Sequence, residues 1–491
     1  MRLRSSRLSV ATVFCASPLV AQTPGEFATE RGLPQPVVVR AASLRLPTVL
    51  TAPAEKAEPT AKSNVHPIDL PTALRLANAS NPTIAMAQIR VRESLARVNL
   101  ADALILPNIS VGGTYFWHDG IDQNRRADMF VINRNNVFAG GGAGLRVDLA
   151  EAIYQPLVAR RMADAETAIA RATNNNTQLD VASAYFDLVH THALQAVNAD
   201  IIEKSEAILK AAVAGEKAGL VRTAADVNRA RTEVALRRME REDIAGRQAT
   251  ASARLARLLL LEPAVTLLPL DEAAVPIELI PTDSPVEALI AQAVRSRPEM
   301  EAAYQQREAA ATRARQARYG PLLPRVQAEY LGGGFGGGKD GVTSNLEGRS
   351  DLSAQVFWEL RGLGFGNLAD VRLRDAERDR ATLVTVAAHA QVAAEVVESL
   401  RVATARKASL DEANTAVKEA REMYRKFSET SFGMVGPRGQ FDALEPLTAV
   451  QALNQARMQL LAATIEYNRA QVRLLTAVGT PIQQHNDATK P

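Results

Sequence analysis

The sequence predicts a mainly α-helical chain with a membrane β part: two long α-helical hairpins and four β-strands, laid down as one order given twice. An internal repeat, two pairs of alternating segments and two very long Ala-rich helical patterns predict it. Residues 70–82 (LPTALRLANASNP) and 284–298 (SPVEALIAQAVRSRP) share a spacing. Leu74, Ala77, Asn81 and Pro82 keep it in the first copy; Ile290, Ala293, Arg297 and Pro298 keep it 216 positions later. Each copy then runs through an Ala- and Arg-rich stretch to a Leu-Pro pair, Leu106-Pro107 and Leu323-Pro324. A duplicated order is an architecture signal and is read before any local motif.

Bulk composition agrees with long helices. Of 491 residues, 4% are aromatic and 23% charged, which is little aromatic bulk for a large globular core and suits Ala/Leu/Arg/Glu rods. The formal charge is +3. Without Arg2, Arg4 and Arg7 of the N-terminal segment the basic and acidic counts are equal. No Lys/Arg patch is interleaved with aromatics, so nothing points to nucleic acid.

Residues 1–21 join a basic RLRSSR to an apolar stretch from Leu8 to Ala21, a secretory signal pattern too short to span a membrane. The cleavage site is indistinct, because Leu19 is large where a small residue is preferred. Cys15 is the only cysteine and lies inside the signal, and Phe14 before it argues against lipidation. The mature chain therefore has neither disulfides nor thiolate chemistry. No later segment reaches ~18 unbroken apolar residues. An exported chain of this kind is either soluble beyond the inner membrane or crosses an outer membrane as β-strands.

Residues 22–65, rich in Pro, Ala, Thr and Val, read as a disordered leader. Asp69 caps a short helix over 70–79. Asn81 then caps a second, with Pro82 at its first position, running over 83–104. In 108–117 (NISVGGTYFW), Ile109, Val111, Tyr115 and Trp117 share one face; Ser110, Gly112 and Thr114 share the other. The polar stretch 118–138 reads as a loop, and a second strand follows over about 139–149. The second copy has strands over 325–331 and 351–360, separated by a Gly-rich loop, 332–350. Tyr115, Trp117 and Trp358 tip the apolar faces, as suits a lipid boundary. Alternation by itself favours an ordinary half-buried hairpin of a soluble domain.

The helices shift that reading. From about 151 to 217 apolar residues recur at coiled-coil-like spacing. At 1.5 Å per residue this is a rod of about 100 Å. Gly219-Leu220 breaks it, and Thr223 to Asp226 opens a return helix to about Leu261. The second copy has its own rod, about 366–428, and a return helix, about 442–478, ended by Gly479 and Pro481. This divides the chain into a signal peptide (1–21), a leader (22–65), a first repeat (66–283, with β-hairpin 108–149 and α-hairpin 151–261), a second repeat (284–483, with β-hairpin 325–360 and α-hairpin 366–479) and a tail (484–491).

These features together resemble the TolC family of outer-membrane efflux and secretion channels. The matching residues are the Asn-Pro of the first copy, Arg297–Met300 (similar to the family's R-P-[DE]-[LM]), both Leu-Pro pairs, Ala184-Tyr185, and Ala218–Val221 followed by Asp226-Val227 and Ala230-Arg231. Each is weak alone; their order and duplication are specific. The resemblance implies a homotrimer whose chains each give four strands to one twelve-stranded barrel in the outer membrane of a Gram-negative-type cell. It implies a long periplasmic tunnel of helices, docking through its tips to a periplasmic adaptor that bridges to an inner-membrane transporter. It carries adaptor contact onto Gly219, Leu220, Val221, Arg222 and Thr223 at the first tip, and Gly433 and Gly439 at the second. Phe441–Glu445 resembles the family's V-D-V-L-D, which places an acidic periplasmic gate on Asp442 and Glu445. The same pair is also a D-x-x-E helix start, stabilising without any gate. The second tip, 428–440, is longer than the first, and Pro446 fits only within the first turn of its helix.

Other signals fall away. Gly333–Lys339 nearly spells a phosphate loop, but Asp340 stands where Ser or Thr would hold magnesium. His190 and His192 are two apart on a helix and make no metal pair. No Met or His cluster favours metal export. No cofactor or metal site and no catalytic constellation is identifiable, which argues against an enzyme. The alternative function is a periplasmic adaptor or structural coiled-coil protein. Adaptors usually show one α-hairpin, whereas this chain shows two hairpins and two strand pairs.

Overall fold

The computed structural model describes residues 65–217, 224–262, 264–271, 275–340, 342–433 and 444–482, all within one unit, Ser63–Pro491. The expected signal peptide, most of the leader and the tail lie outside the described residues.

The element order runs twice. In the first copy β1 (Val65–Ile68) leads into α1 (Leu70–Ser80) and α2 (Pro82–Asp102). A 3₁₀ turn then leads to β2 (Asn108–Gln123), β3 (Met129–Asp148), α3 (Leu149–Lys217) and α4 (Ala224–Leu258). In the second, β4 (Thr266–Pro269) leads into α5 (Val286–Ser296) and α6 (Pro298–Tyr319). A second 3₁₀ turn leads to β5 (Arg325–Lys339), β6 (Ser344–Phe357), α7 (Phe365–Gly433) and α8 (Leu444–Ala477). The two rods α3 and α7 have 69 residues each, about 100 Å of helix at 1.5 Å per residue.

The helix starts are chemical. Asp69 Oδ1 accepts from Thr72 N at 2.9 Å, and Asn81 Oδ1 accepts from Thr83 N at 2.8 Å with Pro82 at the first position. Each cap satisfies an orphan N–H of a first turn. The repeat is also visible in hydrogen bonds. Ser80 Oγ donates to Leu259 O at 2.8 Å, and Ser296 Oγ donates to Val478 O at 2.7 Å. In each copy a serine at the end of a short helix thus anchors the end of the return helix. Gly479 ends the second return helix with φ +85°, and a Cβ there would come within 2.4 Å of Ser296 Oγ. Only glycine fits both demands.

β1 and β4 form a parallel pair that the sequence reading missed. Four residues each, holding Pro67 and Pro269, are too short to show period two. The pair sits against a core of Ile68, Leu74, Tyr185, Leu188, Leu255 and Ile465, which ties the first copy to α8. The segment joining the copies is strapped to α8 by buried amides. Asn468 Oδ1 accepts from Ile277 N at 2.8 Å, and Gln471 Oε1 accepts from Leu279 N and Ile280 N at 3.2 and 3.0 Å.

Both expected long loops are corrected. The polar stretch 118–138 is mostly strand: β2 runs to Gln123 and β3 starts at Met129. The turn needs only Asn124–Asp128, because Asn124 Oδ1 accepts from Arg126 N and Asp128 N at 2.8 and 3.0 Å. Polar side chains then pair across the strands, as Arg134 does with Asp122 at 3.0 Å. The Gly-rich stretch 332–350 is likewise strand: β5 holds it to Lys339 and β6 begins at Ser344. Its glycines are needed for close strand approach. A Cβ at Gly140 would lie 2.3 Å from Gly332 O, and one at Gly333 would lie 2.4 Å from Ala139 O. β6 ends at Phe357, so Trp358 and Leu360 lie beyond the strand expected to carry them.

Asn81 is buried and does two jobs, capping α2 and donating from Nδ2 to Leu258 O at 2.9 Å. Asn81→Ala is expected to destabilise the protein by about 1–3 kcal/mol, from the lost cap and the unpaired, partly buried Leu258 carbonyl. A lowered urea unfolding midpoint checks this; an unchanged midpoint contradicts it.

Candidate functional site: a two-faced open sheet and the helix tips

Strands β2, β3, β5 and β6 form one antiparallel sheet in that order. Register determines which side chains share a face. Ile109, Val111 and Tyr115 stand opposite Ala143, Gly141 and Val137, which stand opposite Tyr330, Gly332 and Gly336. Val326, Ala328 and Tyr330 in turn face Val356, Ala354 and Leu352. One face is thus apolar across the sheet, and it is bare: Ile109 is 83% exposed and Val111 86%. Tyr115 and Trp117 belong to it, at 64% and 55% exposed. Trp358 is 61% exposed, and its indole N–H donates to Leu322 O at 3.2 Å.

The other face is polar and lines the cavities. At its root Arg325 bridges Asp148, at 2.9 Å, and Glu359. Arg325 and Asp148 help line a cavity of about 240 Å³ between the strands and α3, α6 and α7. Farther along, Arg349 pairs with Asp351 at 2.8 Å, beside a cavity of about 560 Å³. The sheet is thus hollow on its polar side. That face is not wholly small or polar, as the sequence reading had it. Phe116, Phe138, Leu331 and Phe335 also lie on it by register. Phe116 was legible, since period two puts it opposite Trp117; Phe138 and Phe335 were hidden inside the two supposed loops.

The outer strands β2 and β6 each have one strand neighbour, so each leaves a row of backbone donors and acceptors unpaired in the protomer. The upper part of α7 also exposes apolar side chains, among them Leu383, Val384 and Val386. It holds an 18-residue stretch of mean hydropathy 1.2, enough by length and composition for a membrane span. That stretch is only 28% buried, so it is not a core helix of the protomer.

Towards the tips the two hairpins share a core of Ile201, Ile208, Val227, Leu447, Val450 and Leu453. Polar links surround it. Arg237 joins Glu233 and Glu240 at 2.7 and 2.6 Å, and Gln451 of α8 donates to Glu233 at 2.7 Å. Asp200 of α3 pairs with Lys204 and with Arg457 of α8. Burial by itself would raise the Asp200 carboxyl, but hydrogen bonds from Lys204 and Arg457 outweigh it and hold the pKa below the usual range. The folded pKa lies below the unfolded one, so this link contributes at neutral pH and is lost only in strong acid. Higher up, burial pushes the Tyr185 hydroxyl's pKa far up, helped by its 2.6 Å bond to Asp271. Burial pushes the His190 imidazole down, with Arg469 adding to it and Asp187 and Glu466 opposing it. Among the described residues no His, Cys, Asp and Glu cluster could hold a metal ion.

Of the expected tip residues, Gly219, Leu220, Val221, Arg222, Thr223, Gly439 and Asp442 lie outside the described residues. Gly433 is the last residue of α7. Glu445 is exposed in the first turn of α8, followed by Pro446, which is buried within that turn.

A hollow, two-faced strand wall joined to paired rods is the fold of outer-membrane channels, and comparison bears this out. The outer-membrane channel OprN superposes with a TM-score of 0.70 at 19% identity, covering 84% of this chain and 90% of that one. The outer membrane protein VceC of Vibrio cholerae gives 0.67 at 18% identity, with 84% and 96% covered. The CmeC outer membrane channel of Campylobacter jejuni gives 0.67 at 14%, with 85% and 88% covered. Comparison with curated protein sequences finds no match. Residues 73–259 match the model of the outer membrane efflux protein family, and the TolC-like resemblance drawn from the sequence is borne out.

Proposed function

We propose that this chain is the outer-membrane exit duct of a tripartite efflux or type I secretion system. It passes substrates from a periplasmic adaptor and an inner-membrane pump to the outside. The observation that carries this reading is the sheet: apolar and bare on one face, polar and hollow on the other, with both edges open. A bare apolar face suits lipid, and a hollow polar face suits a water-filled lumen. Open edges are not tolerated in lipid. Four strands from one chain cannot close around a pore, so three chains close a twelve-stranded barrel. Tyr115, Trp117 and Trp358 then meet the bilayer.

The rods α3 and α7, with their returns α4 and α8, form the periplasmic tunnel. The two structural repeats are 66–283 and 284–483, following a cleaved signal. An adaptor docks on the tips, at Gly219 to Thr223 and around Gly433 and Gly439. Leu220 and Val221, an apolar pair falling in the sequence between the long helices α3 and α4, suit contact with a partner. The periplasmic mouth narrows at Asp442 and Glu445. Three copies give a ring of carboxylates that favours cations. The exposed Glu445 in the first turn of α8 suits that role and also suits the helix dipole.

Purified protein is expected to be trimeric in detergent and to conduct in planar bilayers; monomers without conductance would contradict the duct. In the same bilayers, replacing Asp442 and Glu445 with Ala should raise conductance and weaken block by multivalent cations. Salt should weaken that block in wild type, since the Debye length is about 8 Å at physiological ionic strength. Equal block in wild type and variant at low salt would move the gate elsewhere, to the segment 428–440. At the first tip, Leu220→Asp with Val221→Asp should abolish export in cells while trimer yield stays intact. Unchanged export would remove the adaptor contact.

A further inference from the structure

The polar face of the sheet carries an apolar spot that simple conduction does not need. Phe138 on β3 and Phe335 on β5 are direct cross-strand partners. Both are half-buried, and with Leu331 they line the cavity of about 560 Å³. Of their neighbours on this face along the two strands, Gly140, Gly333 and Gly337 have no side chain, and Asn136 is the one that does. Phe335 already receives a cation: the Arg349 guanidinium lies 4.9 Å from its ring centroid. That charge is matched by Asp351 at 2.8 Å. Glu347 is the direct partner of Phe335 on β6 and has no ion-pair partner among the described residues. One arginine against two carboxylates leaves the spot negative.

We propose that Phe138, Phe335 and Glu347 form a luminal site for an apolar organic cation, a body of one or two aromatic rings bearing a single positive charge. The inference rests on the duct reading, which makes this face the lumen. The two rings offer stacking and cation–π attraction, and Glu347 offers the complementary charge. An inorganic cation finds only the carboxylate, and an aromatic anion meets a repulsive one. Binding is weak enough to release, as a conducting path requires.

The full-length protein in planar bilayers tests this, with benzyltrimethylammonium as probe and tetramethylammonium as the ring-less control. Benzyltrimethylammonium is expected to block wild type at lower concentration than tetramethylammonium. Phe138→Ala with Phe335→Ala should raise its half-blocking concentration about tenfold, since two ring contacts are lost, and raise that of tetramethylammonium less, since it loses only cation–π attraction and no ring stacking. Phe335→Leu, which keeps bulk and loses the ring, should move in the same direction if the double variant does not assemble. Glu347→Gln should weaken block by both cations. Equal potency of the two cations on wild type overturns the site, as does unchanged block in the ring variants. A wild-type protein that does not conduct overturns the duct reading itself, and the site with it.

Discussion

The rest of the structure depends on the backbone hydrogen bonds that β2 and β6 cannot make within one chain. Each outer strand presents a row of N–H and C=O groups with no partner on one side. In water such an edge is an aggregation hazard; in hydrocarbon it is not tolerated at all. The apolar face beside it has the composition of a lipid contact, with Ile109 and Val111 almost fully exposed. The proposed closure of the sheet on copies of itself accounts for both. Such closure would give the polar face its inside, and would give the bare apolar stretch of α7 neighbouring helices to pack on.

The helical part meets the opposite problem, since long rods must be held in register over about 100 Å. Small residues handle much of it: Ala165, Ala168, Ala182 and Ala184 on α3 are buried, so helices can approach closely. Polar anchors do the remainder. Asn81, Asn468 and Gln471 are buried side chains whose hydrogen bonds hold the ends of return helices and the segment between repeats. Nearer the tips the links are charged, as in Asp200 with Arg457 and Glu233 with Arg237. There they surround an apolar core of Ile201, Ile208, Leu447 and Val450 that the two hairpins share.

Much of this was legible in the sequence, because the duplication registers two weak copies against each other. Asp69, Asn81 and Gly479 announced helix ends through cap chemistry that needs no tertiary context. Strand lengths were not legible. Asn133, Asn135 and the glycines 332–338 are poor strand formers, and their extended state depends on cross-strand partners that sequence reasoning cannot see. That error hid Phe138 and Phe335, the residues that make the polar face chemically specific. β1 and β4 escaped for a related reason: each is stable only against the other and the core beneath.

Closure between chains is the central claim, and thiol crosslinking tests it directly. Cys15, the single native cysteine, lies in the segment read as a cleaved signal, so the background is clean. Ser110→Cys on β2 and Ser353→Cys on β6 place one thiol on each outer strand, both on the polar face by register. With a bifunctional thiol reagent on purified protein, a chain carrying both thiols is predicted to give covalent dimers and trimers on denaturing gels. Chains carrying one thiol are predicted to stay monomeric. Monomers alone from the doubly substituted chain would contradict closure of the sheet across three subunits.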